Sequence, residues 1–347
     1  MRAEALRRLD KTLIHVGLAK TGTTLIQQAL FQRHPQVGFL GKPFCSVDMR
    51  RATMSLNRDD SLTYDADEIS ATFHREIERN FKEDQALVIS EEDLSNVTGI
   101  DRYLKAIRLK AIFDGGRVLV VLRRPEELFV STYYQWVRSV PNRRARFLEI
   151  DQWAQLTWKK LDNDNLSKLK YAKLIKLYEN VFGRENVHVM LFEKLRTDVQ
   201  SFAHEICEIT GVDGDVGYEL LNGERRHDRV TDRQVEFSRT LKPRLFADMS
   251  DFESCLETYV DTLPDEVVDK MASARAAFCI NKAKRIDIDG QIEAMYKSIA
   301  GWMSEGSKPP SKLSAEWQKT VEDFTRAGNQ HLAQEYGLPL ADNGYPV

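Results

Sequence analysis

Nowhere do the 347 residues approach the roughly 20 consecutive apolar positions that a membrane-crossing helix needs. The opening stretch, Met1-Arg2-Ala3-Glu4-Ala5-Leu6-Arg7-Arg8, is charged and lacks the apolar centre of a secretory signal. Cysteine is scarce: Cys45, Cys207, Cys255 and Cys279 are widely scattered, with no Cys-x-x-Cys pair or Cys/His cluster of metal-binding spacing. That argues against a disulfide framework and a zinc site, and predicts reduced, mostly buried thiols. Neither sign of charge dominates, since 50 Lys and Arg stand against 53 Asp and Glu for a net charge of −3, so there is no global pull toward nucleic acid or an anionic membrane. No internal repeat is visible. The expectation is a soluble cytoplasmic protein with no membrane span and no nucleic-acid partner, long enough for one large domain or a domain with an appendage.

What is present is concentrated in a few segments. Ile14-His15-Val16-Gly17-Leu18-Ala19-Lys20-Thr21-Gly22-Thr23-Thr24 reads as a short apolar strand, a glycine-bracketed turn and the start of a helix. Gly17 and Gly22 stand five apart, as in a nucleotide-binding P-loop, and amphipathic spacing resumes at Leu25, Ile26, Ala29 and Leu30. Such a loop opens a helix whose positive dipole end faces a bound anion. The lysine that a nucleotide-hydrolysing P-loop carries after its second glycine is missing, however. Thr23 takes that position, Thr24 keeps the hydroxyl, and Lys20 lies inside the turn. The expected ligand is a phosphate-like anion other than an ordinary magnesium nucleotide.

A second absence points the same way. Arg117-Val118-Leu119-Val120-Val121-Leu122 is a continuous β-branched and aliphatic run, the pattern of a strand buried on both faces of a parallel sheet. In a metal-dependent NTPase an Asp is expected near the end of such a strand to organise magnesium. Here the strand ends in Arg123-Arg124-Pro125, with Pro125 suited to the first turn of a helix that carries Ser131 about two turns along. Arginine at a strand's carboxyl end suits a dianionic phosphate held without a metal. A third apolar strand, Ala86 to Ile89, runs into Ser90-Glu91-Glu92 at the same presumed edge, leaving two neighbouring carboxylates as candidates for a general base.

On these residues the chain resembles the sulfotransferases that use 3′-phosphoadenosine 5′-phosphosulfate (PAPS). Lys20-Thr21-Gly22-Thr23-Thr24 is similar to the family's 5′-phosphosulfate loop, and Arg123 through Ser131 to its 3′-phosphate motif. The resemblance runs from about Thr12 to about Lys242, and its flavour is that of the bacterial, carbohydrate-type branch, with Val88-Ile89-Ser90-Glu91-Glu92-Asp93-Leu94-Ser95 between the motifs. It implies that Lys20 contacts the phosphosulfate, that Thr21, Gly22, Thr23 and Thr24 belong to its cradle, and that Arg123 and Ser131 hold the 3′-phosphate. Glu92 aligns better than Glu91 with the family's glutamate, yet Glu91 replaces a serine of that pattern and the choice between the two stays open. The family also brings a basic segment back toward the donor, which makes Arg226 a further contact. In-line transfer to a hydroxyl or amine of a carbohydrate or small metabolite would then need no metal. The rival readings are an ATP-dependent phosphotransferase of the P-loop class and a catalytically silent nucleotide-binding protein.

Around these motifs the sequence predicts a three-layer α/β/α fold with a central parallel sheet, like that of P-loop kinases. Strands are expected at residues 12–16, 36–40, 86–90, 117–122 and 186–192. Helical spacing is clear at Ile69, Phe73, Ile77 and Phe81, and at Val199, Phe202, Ile206 and Ile209, the latter between an N-capping Asp198 and a terminating Gly211. Residues 39–64 read as an irregular loop over the sheet's carboxyl edge. A Thr-x-x-Gln capping box stands at Thr231 to Gln234 in a nearly all-helical C-terminal region. The expected division is an α/β domain over 1–242 and a helical extension over 243–347 packed on it. Arg138 to Arg146 holds four arginines and reads first as a solvated loop, with an anionic acceptor as the alternative. Tyr133, Tyr134, Trp136, Trp153 and Trp158 read as core before they read as a sugar platform.

Overall fold

The computed structural model describes residues 11–139, 148–223, 231–236, 239, 307 and 312–347. Among these, the five expected runs form strands: β1 (Leu13–His15), β2 (Val37–Phe39), β3 (Ala86–Ser90), β4 (Arg117–Leu122) and β5 (Val187–Leu191). They make one parallel sheet in the order β2-β3-β1-β4-β5. The described helices are α1 (Thr23–Leu25), which continues as a π-helix over Ile26–Phe31, α2 (Val47–Arg58), α3 (Ala66–Asn80), α4 (Arg102–Ile112), α5 (Pro125–Ser139), α6 (Ile150–Trp158), α7 (Tyr171–Phe182), α8 (Phe192–Thr197), α9 (Val199–Thr210), α10 (Gly214–Asn222), α11 (Asp232–Glu236) and α12 (Ala315–Tyr336). This is the α/β architecture the sequence predicts. No described helix is long and apolar enough to cross a membrane.

Two compact units divide the chain: Met1–Phe129 with Thr157–Arg226 and Ala315–Val347, and Val130–Leu156 with His227–Ser314. The first contains the sheet. Leu119 and Val121 of β4 pack with Ile26, Leu30, Phe31, Phe202 and Ile206 on one face, while Val118, Val120 and Leu122, equally buried, point to the other face, where α7 lies against β4. Side chains alternate across a strand, so a strand with helices on both faces must be apolar throughout. In the second unit Tyr133 is fully buried, with Trp153 and Trp136 at ring-centroid distances of 5.5 and 6.0 Å. Trp158, in the first unit, packs on Phe129 and Phe324. Tyr133 and Trp153 are core, while Trp136 and Trp158 are half-buried.

One expectation fails. Within residues 39–64 the chain forms α2, whose N-terminus is capped by Ser46 Oγ accepting from the Met49 N–H at 3.0 Å. Met49, Ala52, Thr53 and Leu56 are buried at helical spacing. Asp48, Arg50, Arg51 and Arg58 on the other positions dilute that stripe, which is why the segment reads as polar and irregular. The remaining local signals hold. Asp198 caps α9, Gly211 ends it with φ 80°, and Thr231 and Gln234 exchange their capping-box hydrogen bonds.

Candidate active site

Strand order fixes where a ligand can bind. The chain leaves β1 toward β2 on one side and leaves β4 toward β5 on the other, so the adjacent carboxyl ends of β1 and β4 flank the topological switch point, where open α/β sheets leave a crevice. The glycine turn follows β1 and Arg123 follows β4. Their meeting is direct: Arg123 Nη1 donates to the Lys20 carbonyl at 2.8 Å, across 103 residues of sequence.

The turn is shaped by its backbone. Gly17, Lys20 and Gly22 all have positive φ, 35°, 75° and 79°. Gly22 is required on two counts, because its φ is left-handed and an added Cβ would come within 2.9 Å of Leu195 Cδ2 and 3.0 Å of Phe192. Lys20 takes the same left-handed conformation without being glycine, a strained arrangement of the kind that clusters at functional sites. Thr21 is buried and both its N–H and its hydroxyl donate to the Leu18 carbonyl, so its side chain braces the turn rather than facing out. Ser95 Oγ fastens the other end by donating to the Gly17 carbonyl at 2.6 Å. Thr23 is buried and its hydroxyl donates to Glu92 Oε1, whereas Thr24 is exposed at the first turn of α1. That helix start supplies backbone N–H groups with no intrahelical partner.

The two candidate carboxylates separate clearly. Glu91 is 6% exposed, sits 2.9 Å from Lys42 Nζ and accepts from the Asp93 N–H as a cap. Glu92 instead points to the loop through Thr23. The segment that carries both is held rigidly: fully buried Lys105 donates to the carbonyls of Asp93, Asn96 and Thr98, and Tyr178 donates to Leu94 O.

Arg123 is built in as firmly. Its Nε and Nη2 donate to Glu127 Oε2 at 3.2 and 2.9 Å, its guanidinium lies 4.8 Å from the Phe192 ring centroid, and its carbonyl accepts from Tyr171 Oη at 2.7 Å. Burial pushes the guanidinium below its ordinary value, with the Glu193 carboxylate acting against that shift. Arg124 and Arg196 also reach Glu127, so three guanidinium groups converge on one carboxylate. Ser131 belongs to the second unit, on α5. Arg226 lies outside the described residues, as do most of Arg138–Arg146 and the Glu224–Arg229 basic segment. Among the described residues no group of His, Cys, Asp and Glu side chains could hold a metal ion.

A family model described as the sulfotransferase domain matches residues 10–262. The chain belongs to the sulfotransferase family. A solved sulfotransferase from Alicyclobacillus acidocaldarius is similar at 17% identity over 71% of this chain and 96% of that one, with a TM-score of 0.44. No curated protein matches. Within a sulfotransferase these residues gain a chemical context, and the structure adds several that the sequence did not single out: Lys42, Lys105, Glu193 and Arg196. Each acts across a long loop or between elements, which local spacing does not encode.

Proposed function

We propose that the protein transfers a sulfuryl group from PAPS to a hydroxyl or amine of a carbohydrate or small-metabolite acceptor, by in-line displacement and without a metal ion. The observation that carries this reading is the Arg123 to Lys20 hydrogen bond, which joins the glycine turn and a half-buried guanidinium at the switch point between β1 and β4. A carrier with a 5′-phosphosulfate and a separate 3′-phosphate matches two adjacent positive centres.

In this mechanism the N–H groups at the start of α1, the exposed Thr24 hydroxyl and the Lys20 ammonium bind the phosphosulfate. Lys20 meets the charge that gathers on the bridging oxygen as the sulfur–oxygen bond breaks. Preorganised donors of this kind are each worth about 10²–10³ in rate elsewhere. Arg123 holds the 3′-phosphate, with Ser131 and Arg226 joining by motif position. Glu92 takes the acceptor's proton while the acceptor oxygen or nitrogen bonds to sulfur, and its hydrogen bond from Thr23 orients it toward the loop.

Titration calorimetry tests the donor assignment. Adenosine 3′,5′-bisphosphate should bind tightly with no magnesium present, and magnesium-ATP at least about 100-fold more weakly, a gap near 3 kcal/mol. Preference for magnesium-ATP would make the chain a phosphotransferase instead. Bisphosphate binding with no label transferred from PAPS to any acceptor in a cell extract would make it a silent binding protein.

A further inference from the structure

A phosphate monoester offers three strong acceptor oxygens, and an arginine already tied into the fold cannot meet them alone. Arg123 donates from Nε and Nη2 to Glu127 Oε2 and from Nη1 to the Lys20 carbonyl, which engages three of the five N–H groups a guanidinium carries. Further donors must come from its surroundings. Two neighbours share its carboxylate partner: Arg124 Nη2 donates to Glu127 Oε1, and Arg196 Nη1 to Glu127 Oε2 at 3.4 Å. They differ in what covers them. Arg124 is closed in by the end of the chain, since a Cβ on Gly344 would lie 3.1 Å from its Nη1, and its Nε also stands 3.6 Å from Glu126. Arg196 makes no other hydrogen bond or ion pair among the described residues, and its side chain is 48% exposed.

The fold fixes where that open guanidinium stands. Arg196 lies in the last turn of α8, which starts directly after β5, the neighbour of β4 in the sheet. α8 packs on both halves of the site: Phe192 and Leu195 lie 3.0 and 2.9 Å from where a Cβ on Gly22 would be, and the Phe192 ring centroid is 4.8 Å from the Arg123 guanidinium. Arg123 Nη2 and Arg196 Nη1 meet on the same Glu127 oxygen, so both nitrogens are within hydrogen-bond reach of one anionic atom. Burial lowers Arg123, Glu193 opposes that shift, and the Arg196 charge adds to it by repulsion. A dianion bound between the two guanidinium groups relieves that repulsion.

We infer that Arg196 is a further binding residue for the donor's 3′-phosphate, its open guanidinium closing on the anion that Arg123 holds, while Glu127 keeps the two side chains converged. This deepens the sulfotransferase reading and rests on it. A second guanidinium fork favours a ligand with a phosphate at the 3′ position over one with a hydroxyl there, so Arg196 acts on specificity as well as affinity. Its place in the sequence, 69 residues beyond Glu127, gives no sign of this role.

Calorimetry with two probes tests this: adenosine 3′,5′-bisphosphate, and adenosine 5′-monophosphate, which lacks the 3′ group. Arg196→Met should weaken bisphosphate binding by about tenfold or more, a change of ~1.4 kcal/mol, and alter monophosphate binding by less than about twofold. Unchanged bisphosphate affinity would reduce Arg196 to a surface ion pair and overturn the proposal. An equal loss for both probes would overturn it too, because the residue would then act on the site as a whole and not on the 3′-phosphate. Should Arg196→Met not fold, Arg196→Lys decides. It keeps the charge and loses the fork, so the bisphosphate should weaken about threefold or more with the monophosphate unmoved, and binding equal to the parent's would refute the assignment. The two failures are distinct: a parent that binds no bisphosphate defeats the functional reading itself, whereas a parent and an Arg196 variant that bind it equally well defeat the role of Arg196 alone.

Discussion

A carboxylate serves as a base only when its lone pairs are not committed elsewhere, and the two neighbours at the end of β3 differ in just this respect. Glu91 is engaged by Lys42 and by the Asp93 N–H, a structural pairing whose loss affects the local turn. Glu92 is committed on one oxygen to a threonine of the loop. Glu92→Gln is therefore expected to lower kcat by about 10²–10³, with bisphosphate affinity retained, whereas Glu91→Gln should lower it by less than about tenfold. Steady-state kinetics on the two isosteric variants checks this, and equal losses would return the choice to the open state in which the sequence leaves it. Strand alternation tells which residues reach the sheet's edge but not which of two neighbours turns to a loop 69 residues earlier.

Between elements, the sheet's edge is fastened by a buried polar clasp. His15 at the end of β1 shares a hydrogen bond of 2.7 Å with Ser90 Oγ at the end of β3, and Gln27 of the π-helix donates to the same hydroxyl at 2.9 Å. Complete burial lowers His15 to about 4, because the charged ring would lie in the core against Phe31. The folded state therefore disfavours a proton that the unfolded chain accepts near 6.5. Stability from this group is present above that value and falls by about 3 kcal/mol as pH drops toward 4. Urea unfolding at pH 7 and pH 4.5 should show a smaller acid loss for His15→Gln than for the parent, and an equal loss would count against His15 as its source. The elements themselves were mostly legible. β3 and β4 fall on the expected residues, and the other strands differ by a residue at each end. Strong periodicity and clear caps made α3 and α9 readable, while α2 was hidden by arginines on its outer face. The π-helix was invisible because a wider helix keeps the same apolar positions, Ile26, Ala29 and Leu30, facing the core.

At the scale of the whole sheet-bearing unit, the meeting of the glycine turn with Arg123 depends on a strand order that short-range pattern cannot show. Two motifs a hundred residues apart meet only because β1 and β4 are neighbours whose outgoing chains diverge. The C-terminal residues reinforce that junction: Tyr345 Oη donates to Glu193 Oε2 at 2.9 Å, and Glu193 Oε1 accepts from the Arg124 N–H at 2.9 Å, beside the arginine on the loop. The left-handed Lys20 has its own bearing on the unit's stability. Its carbonyl must turn toward Arg123, and a side chain at φ 75° costs on the order of 1 kcal/mol that glycine would not incur. Lys20→Gly should therefore melt later than the parent, or at least no earlier, while sulfuryl transfer collapses. Earlier melting would mean that the lysine side chain contributes more to the fold than its backbone costs. A screen scored by heat resistance alone would promote the variant that had discarded its chemistry.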